Sequence, residues 1–304
     1  MLSGLLEKFD HCFVTNESAF ISRIFSLSNG ETAQQTIDYL FEEPQFHDFQ
    51  LNKEKVMDLY VTSSNVKEFI EAILLEHLAN RYDWFEDSEN NLIIIKHPPT
   101  NHLKKIERMW PQAKAIVLIR DGRDVHLSKK KSINLSGIPF SSSVVRSAIN
   151  WRYKYQTFVT TQWNTVSIRY EDIIQPNFEL TAFVRQLGVS VIRTPHLNKE
   201  FPVPGLQKTL HQNVGKAIIS NNHSKFDSDG YVNFVFSLLC SNLLEQFNYG
   251  HLMTNKYKRP LYSLQLLGEM LSYSFQSAYR LVQFGLFDRH RFLMRLDKLK
   301  SKSG

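Results

Sequence analysis

Two short apolar runs rich in β-branched residues do most to limit how this chain can fold. They are LIIIK at residues 92–96 and AIVLI at residues 115–119. Unbroken runs of this kind are typical of strands buried on both faces of a parallel sheet. The segment between them, NHLKKIERMW, has the apolar spacing of a helix. Strand, helix and strand therefore follow within about thirty residues, the size of a βαβ unit.

Other segments extend this alternation along the chain. Further strands are predicted at residues 165–169 and 11–14. The chain has no internal repeat, which excludes solenoids and propellers. Strands that alternate with helices predict an α/β fold with a central parallel sheet. The other predicted helices are residues 18–27, 32–42 and 64–82 and a long stretch that contains Trp151.

The composition narrows the location and the class of ligand. Lys and Arg outnumber Asp and Glu by 36 to 30, and this net charge of +6 suits an anionic ligand, a membrane surface or a nucleic acid. The two cysteines, Cys12 and Cys240, neither form a disulfide framework nor supply a zinc site. The N-terminal residues Glu7, Lys8 and Asp10 interrupt any signal-peptide pattern, so we expect a cytoplasmic protein without a membrane span.

The segment KAIVLIRDGRDVHLSKKKS at residues 114–132 carries the strongest chemical signal. A buried strand ends at Arg120, the chain turns, and a helix begins near Asp124. Ligands of open α/β sheets bind at such strand ends, where a helix N-terminus favours phosphate. Arg120 and Ser128 therefore predict an anion-binding site. The alternative is a structural ion pair between Arg120 and Asp121 beside a solvated run of lysines.

The same segment resembles the 3′-phosphate motif of the sulfotransferases that use 3′-phosphoadenosine-5′-phosphosulfate. The resemblance consists of the strand-end Arg120, the D-x-R-D that follows, and Ser128 eight residues later. It extends over about residues 90–250, where further family-like stretches follow in the family's order. These are IIIKHPPTNHLKKIERMWP, Trp151 in AINWRYKY, VSIRYEDIIQP, NVGKAI and LLEQFNYG.

The resemblance implies a P-loop-like three-layer α/β fold, with a central parallel sheet flanked by helices, and 3′-phosphoadenosine-5′-phosphosulfate as the cosubstrate. It implies that Arg120 and Ser128 bind the 3′-phosphate and that Tyr170 approaches the adenine. Gly215 and Lys216, in NVGKAI, would lie near the nucleotide. The family needs no metal. Nothing in the sequence identifies the acceptor, and no nucleic-acid-binding module is recognisable.

The N-terminal phosphate loop of the family, written roughly G-x-x-[RK]-[ST]-G-[ST], is not recognisable here. The corresponding residues read TNES, without the glycines that a tight anion nest needs. Glu17 would repel a phosphate, while Ser18 offers a hydroxyl near a helix N-terminus. Two interpretations follow: Ser18 and Lys96 serve the 5′-phosphosulfate instead, or the protein binds the nucleotide and has lost the transfer reaction.

Three residues are candidates for the transfer step itself. Lys96 ends a predicted strand and, by resemblance, would stabilise the charge that grows on the bridging oxygen. His97 follows it and is the neatest candidate for the base that activates the acceptor, because imidazole titrates near neutrality. Other branches of the family use a glutamate after the first helix, for which Glu31 is the counterpart. The alternatives for Lys96 and Glu31 are a solvated strand end and a helix capping box.

The sequence thus predicts a sulfotransferase domain at residues 1–255 and an appended amphipathic helix with a basic tail at residues 256–304. The function predicted is transfer of a sulfuryl group to an acceptor hydroxyl or amine. The alternative is a catalytically inactive nucleotide-binding or membrane-surface interaction protein. The membrane alternative rests on apolar residues recurring at three- and four-residue steps in residues 261–300, with a basic end.

Overall fold

A computed structural model of the chain describes twelve separate stretches. The chain divides into two compact units. The first unit holds residues 1–111 and 179–217, and the second holds residues 112–178 and 218–304. The described residues are 2–7, 9, 11–27, 31–83, 85–88, 91–97, 102–131, 143–159, 163–175, 177–187, 229–250 and 256–287.

Helices dominate both units, with four short strands among them. The strands are β1 (Cys12–Val14), β2 (Leu92–Ile94), β3 (Ala115–Ile119) and β4 (Thr165–Arg169). Two 3-10 segments span Pro44–Phe49 and Lys256–Lys258. The α-helices are α1 (Leu2–Leu6), α2 (Phe20–Ile24), α3 (Ala33–Phe41), α4 (Lys53–Thr62), α5 (Val66–Arg81), α6 (Leu103–Met109), α7 (Gly122–Lys131), α8 (Val144–Val159), α9 (Tyr170–Ile173), α10 (Leu180–Gln186), α11 (Gly230–Gln246) and α12 (Arg259–Phe287).

The strands pair in parallel within each unit. β1 lies beside β2, with Cys12 opposite Leu92. β3 lies beside β4, with Ala115 opposite Thr165. Helices with small parallel sheets are compatible with the predicted α/β class. The described strands form two pairs, one in each unit, and the single central sheet and the three-layer arrangement stay predictions.

Side-chain caps explain where several helices of the first unit begin. Thr32 and Gln35 form a capping box at the start of α3, since each side chain accepts a hydrogen bond from the other residue's backbone N–H. Asn52 and Asn65 cap α4 and α5 in the same manner, each accepting from the N–H three residues later. The predicted helices at residues 32–42 and 64–82 are confirmed within two residues at each end, while α4 was not predicted.

The cores of the two units are built from different side chains. In the first unit, the rings of Phe20, Phe46 and Phe49 pack with centroids 5.1 to 5.8 Å apart, and all three are at most 1% exposed. In the second unit, α8 and α11 pack on β3 through Trp151 and Phe236. Aromatic contacts therefore contribute much of the buried area in both units.

The C-terminal helix α12 begins at Arg259 and ends at Phe287. It confirms the amphipathic helix predicted from residue 261 onward as far as residue 287, and the remainder of that prediction lies outside the described residues. In the described part of the chain, no helix has the length and apolar character needed to cross a membrane.

We predict that stability falls as the pH falls from about 6.5 to 4, in part because of His77. Burial is the main cause that lowers the pKa of His77 to about 4. The folded-state pKa lies below the unfolded value, so the unfolded chain binds more protons in this window and folding loses free energy there. Since the ring is 3% exposed, the loss is roughly 2 to 4 kcal/mol.

The measurement is urea unfolding of wild type and of His77→Gln between about pH 7.5 and 4.5. The variant is less stable at neutral pH and should have a flatter profile. His47→Gln, which changes an exposed histidine of the same unit, is the control and should keep the wild-type profile. Parallel profiles for wild type and His77→Gln would contradict the prediction.

Candidate functional site

Arg120 follows the last residue of β3 and is held on two sides. The indole Nε1 of Trp151 donates a hydrogen bond of 2.9 Å to the Arg120 carbonyl oxygen. The guanidinium carbon lies 4.6 Å from the centre of the Tyr170 ring, a cation–π arrangement. Its Nε is buried without a hydrogen-bond partner in the described residues. An oriented guanidinium whose Nε has no partner in the described residues is suited to an anion.

The buried ion pair at this turn is made by Arg123 and not by Arg120. Arg123 Nη2 lies 2.6 Å from Asp121 Oδ2, and the two residues are 1% and 3% exposed. The Arg123 backbone N–H also donates to Asp121 Oδ1 at 2.8 Å, so Asp121 caps α7. One amide at this helix end is therefore occupied by the protein itself. Among the described residues, Arg120 forms no ion pair.

Glu171 and Tyr249 also form hydrogen bonds to the turn that follows Arg120. The Asp121 N–H donates to Glu171 Oε1 at 3.2 Å, and the Tyr249 hydroxyl donates to Glu171 Oε2 at 2.7 Å. Burial, followed by this hydrogen bond, raises the pKa of Tyr249 well above its usual range. The Tyr249 carbonyl in turn accepts from Arg123 Nη2 at 2.6 Å. Glu171 and Tyr249 were not predicted as site residues, although both lie in the motif-like stretches YED and NYG.

Of the predicted nucleotide-binding residues, Tyr170 contacts Arg120 through its ring. The other predicted residues are placed as follows. Ser128 lies on α7, exposed to solvent together with Lys129 and Lys130. Gly215 and Lys216 lie outside the described residues.

The turn between β1 and α2, at residues 15–18, directs its amides into the protein. The N–H of Thr15 donates to the Ile94 carbonyl, that of Asn16 to His77 Nε2, and that of Ser18 to the Lys96 carbonyl at 2.7 Å. Ser18 is fully buried, and its hydroxyl donates to the Asn16 carbonyl at 3.1 Å. Three amides that a phosphate loop would present to its ligand are thus already used by the protein.

A buried cluster of Arg81, Glu7 and Tyr82 contacts this turn through Asn16. Arg81 donates through Nη1 to Asn16 Oδ1 at 2.6 Å and through Nη2 to Glu7 at 3.0 Å. The Tyr82 hydroxyl also donates to Glu7. Burial, and then this bond to Glu7, raises the pKa of Tyr82 far above its usual range. The cluster was not predicted, because its members are 65 to 75 residues apart in sequence.

Lys96 and His97 lie directly beside the turn. The Lys96 N–H donates to Thr15 Oγ1 at 3.1 Å, while its ammonium has no hydrogen bond or ion pair with any described residue. His97 Nδ1 lies 2.9 Å from the Ser18 carbonyl oxygen, which can only accept, so Nδ1 carries the proton. His97 Nε2 lies 3.3 Å from Ser22 Oγ and accepts from it. Burial lowers the pKa of His97 to about 4, so the ring is neutral at pH 7.

Two acidic residues complete the candidates in the first unit. Glu31 is half-buried and immediately precedes Thr32, the N-cap of α3. The alternative predicted for Glu31 was a place in a helix capping box. In the structure, Thr32 and Gln35 form that capping box. Asp48 was not predicted. Burial raises the pKa of its carboxyl, the nearby charges of His47 and Lys96 partly oppose that shift, and its carbonyl accepts from Asn16 Nδ2 at 2.6 Å.

The comparison with protein families agrees with the motif at Arg120. A family model described as the sulfotransferase family matches residues 1–191, which is more than half of the 304 residues. The chain belongs to the sulfotransferase family. The matched range includes every described candidate residue of both units. No curated protein and no solved structure gave a significant match.

We predict that Gly122→Ala destabilises the turn after Arg120. A Cβ at residue 122 would lie 2.4 Å from the Phe236 ring and 2.8 Å from the Trp151 ring, both in the core. Overpacking of this kind costs about 1 to 3 kcal/mol of unfolding free energy, measurable by urea titration. Gly268→Ala is the control. A Cβ there meets nothing within 4 Å, so this variant should gain about 0.5 to 1 kcal/mol from helix propensity. Equal effects would contradict the close packing at Gly122.

Proposed function

We propose that the protein is a sulfotransferase that moves a sulfuryl group from 3′-phosphoadenosine-5′-phosphosulfate to an acceptor hydroxyl or amine. We further propose the three-layer fold of the family for residues 1–255, with residues 256–304 as an appended helix and tail. The single observation that best supports the cosubstrate is Arg120: a strand-end guanidinium, stacked on Tyr170, with a buried Nε that has no partner among the described residues.

The charges around Arg120 favour an external anion as its partner. Asp121, the nearest carboxylate in sequence, is neutralised by Arg123 and held by a second bond from the Arg123 amide. Glu171 accepts from the Asp121 amide and the Tyr249 hydroxyl. The nearby acids are thus bonded to other groups, and the positive charge of Arg120 is left for a ligand. A 3′-phosphate fits this donor, with Ser128 as the second ligand that the resemblance implies.

When bound, the cosubstrate supplies an activated sulfuryl group. In the transfer, the S–O bond to the phosphate breaks, a new S–O or S–N bond forms to the acceptor, and the acceptor loses a proton. We assign the ammonium of Lys96, which has no hydrogen bond or ion pair with a described residue, to the charge that grows on the departing phosphate oxygen. We assign acceptance of the proton to His97 Nε2, at which the acceptor substrate takes the place of the Ser22 hydroxyl, while Nδ1–H is fixed on the Ser18 carbonyl.

Ser18 receives a different role from the one that the sequence suggested. Since its hydroxyl is buried and bonded within the turn, we propose that it positions His97 through its carbonyl and does not contact the cosubstrate. Glu31 stays the alternative base.

The second candidate is a protein that binds the nucleotide without transferring the sulfuryl group. It is favoured by the turn at residues 15–18, where three amides are used internally and Glu17 adds a negative charge. Isothermal titration with 3′,5′-diphosphoadenosine, combined with a sulfuryl-transfer assay over a panel of alcohol, phenol, sugar and amine acceptors, separates the candidates. Binding without turnover would favour the second.

Arg120→Ala should weaken binding of 3′,5′-diphosphoadenosine by roughly 2 to 5 kcal/mol, with little loss of stability, because a charge-assisted contact to the 3′-phosphate is removed. Ser128→Ala should cost about 1 to 2 kcal/mol, as expected for a neutral hydroxyl. Isothermal titration and urea unfolding measure the two quantities. Adenosine 5′-phosphosulfate, which lacks the 3′-phosphate, should bind wild type poorly and respond little to either change.

Arg123→Ala is the matched control for Arg120→Ala. It leaves the Asp121 carboxylate buried without its guanidinium, so it should lower the unfolding free energy by about 3 to 5 kcal/mol. Stability and nucleotide binding should therefore separate between the two arginines. If Arg120→Ala is as destabilising as Arg123→Ala and affects both nucleotides alike, Arg120 is structural. No measurable binding of the diphosphate to wild type at millimolar concentration would also refute the 3′-phosphate site.

His97→Ala should lower turnover about a hundredfold or more and leave the affinity for 3′,5′-diphosphoadenosine nearly unchanged, as expected for loss of a general base. Since the pKa of His97 is about 4, the wild-type rate should be flat around neutral pH and fall only as the pH approaches that value. Steady-state kinetics from about pH 5 to 8 test both statements. Glu31→Gln is the comparison: loss of turnover there, with His97→Ala active, would move the base to the glutamate.

A further inference from the structure

One face of α12 is docked on the second unit by specific contacts. The ring of Tyr262 lies 5.8 Å from those of Tyr231 and Phe234, and Leu266 is 9% exposed. Glu269 Oε2 accepts from Ser143 Oγ at 2.7 Å and from the Val145 N–H at 3.3 Å, at the start of α8. These contacts fix which side of the helix faces the unit.

The opposite face of α12 is apolar and exposed. Residues advance by about 100° per position in an α-helix, so Leu264, Leu271 and Phe275 lie roughly opposite Tyr262 and Leu266. None of the residues at these outward positions is charged. A continuous apolar stripe of this size on a protein surface marks an interaction site. The outward residues and their exposures are Leu261 63%, Leu264 69%, Leu267 56%, Leu271 64%, Phe275 75%, Tyr279 62% and Val282 62%.

Basic residues stand at both ends of this stripe in the sequence. Lys256, Lys258 and Arg259 precede it without an acidic residue among them. After it, residues 288–304 contain six basic residues against only Asp288 and Asp297. The six are Arg289, Arg291, Arg295, Lys298, Lys300 and Lys302.

This charge distribution selects among possible occupants of the stripe. A second copy of the chain, packed stripe against stripe, would bring basic ends against basic ends in either the parallel or the antiparallel orientation. That arrangement is repulsive. An anionic lipid surface offers apolar depth to the stripe and negative head groups to both ends at once.

We propose that α12 binds an anionic membrane surface. The helix lies along the surface, with Leu264, Leu271 and Phe275 entering the boundary between head groups and acyl chains. Tyr279 is suited to the head-group level, because its ring is amphipathic. The docked face of α12 keeps its contacts with the second unit. This binding goes beyond sulfuryl transfer, which requires none of these residues.

The test is flotation of the full-length protein with vesicles of phosphatidylcholine containing about 30% phosphatidylserine, and with pure phosphatidylcholine vesicles. Wild type should float with the anionic vesicles, bind the neutral ones at least about tenfold less, and be released at high salt. Leu271→Glu/Phe275→Glu should weaken binding by at least about tenfold, because two inserted apolar side chains become charged. Replacing the six basic residues of the tail by Gln should have an effect of similar size.

The matched control is Val61→Glu/Val66→Glu, which adds the same charge at two exposed valines, 71% and 48% exposed, on other helices. It should bind like wild type, and circular dichroism should show unchanged helix content for both double variants. Wild type that fails to float with anionic vesicles overturns the proposal. So does binding that survives Leu271→Glu/Phe275→Glu, or that is lost equally in the control. A dimer in sedimentation that dissociates in Leu271→Glu/Phe275→Glu, without vesicle binding by wild type, assigns the stripe to a second copy and also overturns it.

Discussion

The buried ion pair between Asp121 and Arg123 organises the end of β3 and the start of α7. A carboxylate that is 3% exposed is tolerated only because a guanidinium and an amide of the next residues neutralise and bond it. With Asp121 satisfied in this way, Arg120 forms no ion pair with the residues that the structure describes. Gly122 lets Trp151 and Phe236 pack directly against the turn, and Trp151 then fixes the Arg120 carbonyl. The bonds among the neighbouring residues thus explain why the Arg120 guanidinium has no ion pair in the described part of the chain.

In the first unit, hydrogen bonds within the protein fix the turn that follows β1. A turn after β1 that lacks glycine cannot wrap its amides around an anion, and here the amides of Thr15, Asn16 and Ser18 bond to the protein. Arg81, Glu7 and Tyr82 bury their polar groups beneath it. Breaking any one of these contacts would cost free energy, because it would leave a buried polar group unpaired. The contacts therefore hold the turn rigid. Among the described residues directly beside this turn, Lys96 and His97 are the side chains proposed for the chemistry.

The sequence predicted the features that depend on local pattern. The four strands follow from apolar runs, and α3 and α5 from their helical periodicity, because both signals lie within a few adjacent residues. Arg120 and Tyr170 were predicted by resemblance, and their contact is present in the structure. The Arg81 cluster, the Tyr249 bond to Glu171 and the bond from Asn16 to the Asp48 carbonyl were not predicted, because each joins residues distant in sequence. Nor does the sequence reveal that Asp121 pairs with Arg123 two residues away when Arg120 is adjacent, since side-chain direction decides between them.

The bond between Glu269 and the start of α8 ties α12 to the rest of the second unit. The side chain of Glu269 occupies the Ser143 hydroxyl and the Val145 amide, at the end of a helix that otherwise begins with an orphan donor. Trp151, two turns further along α8, holds the carbonyl of Arg120. A chain shortened before Arg259 therefore loses both bonds from Glu269 as well as a surface. It loses these bonds on the helix that supports the strand-end arginine, where the Ser143 hydroxyl still accepts from the Arg146 amide. Boundaries drawn for truncated versions of this protein have consequences inside the remaining domain.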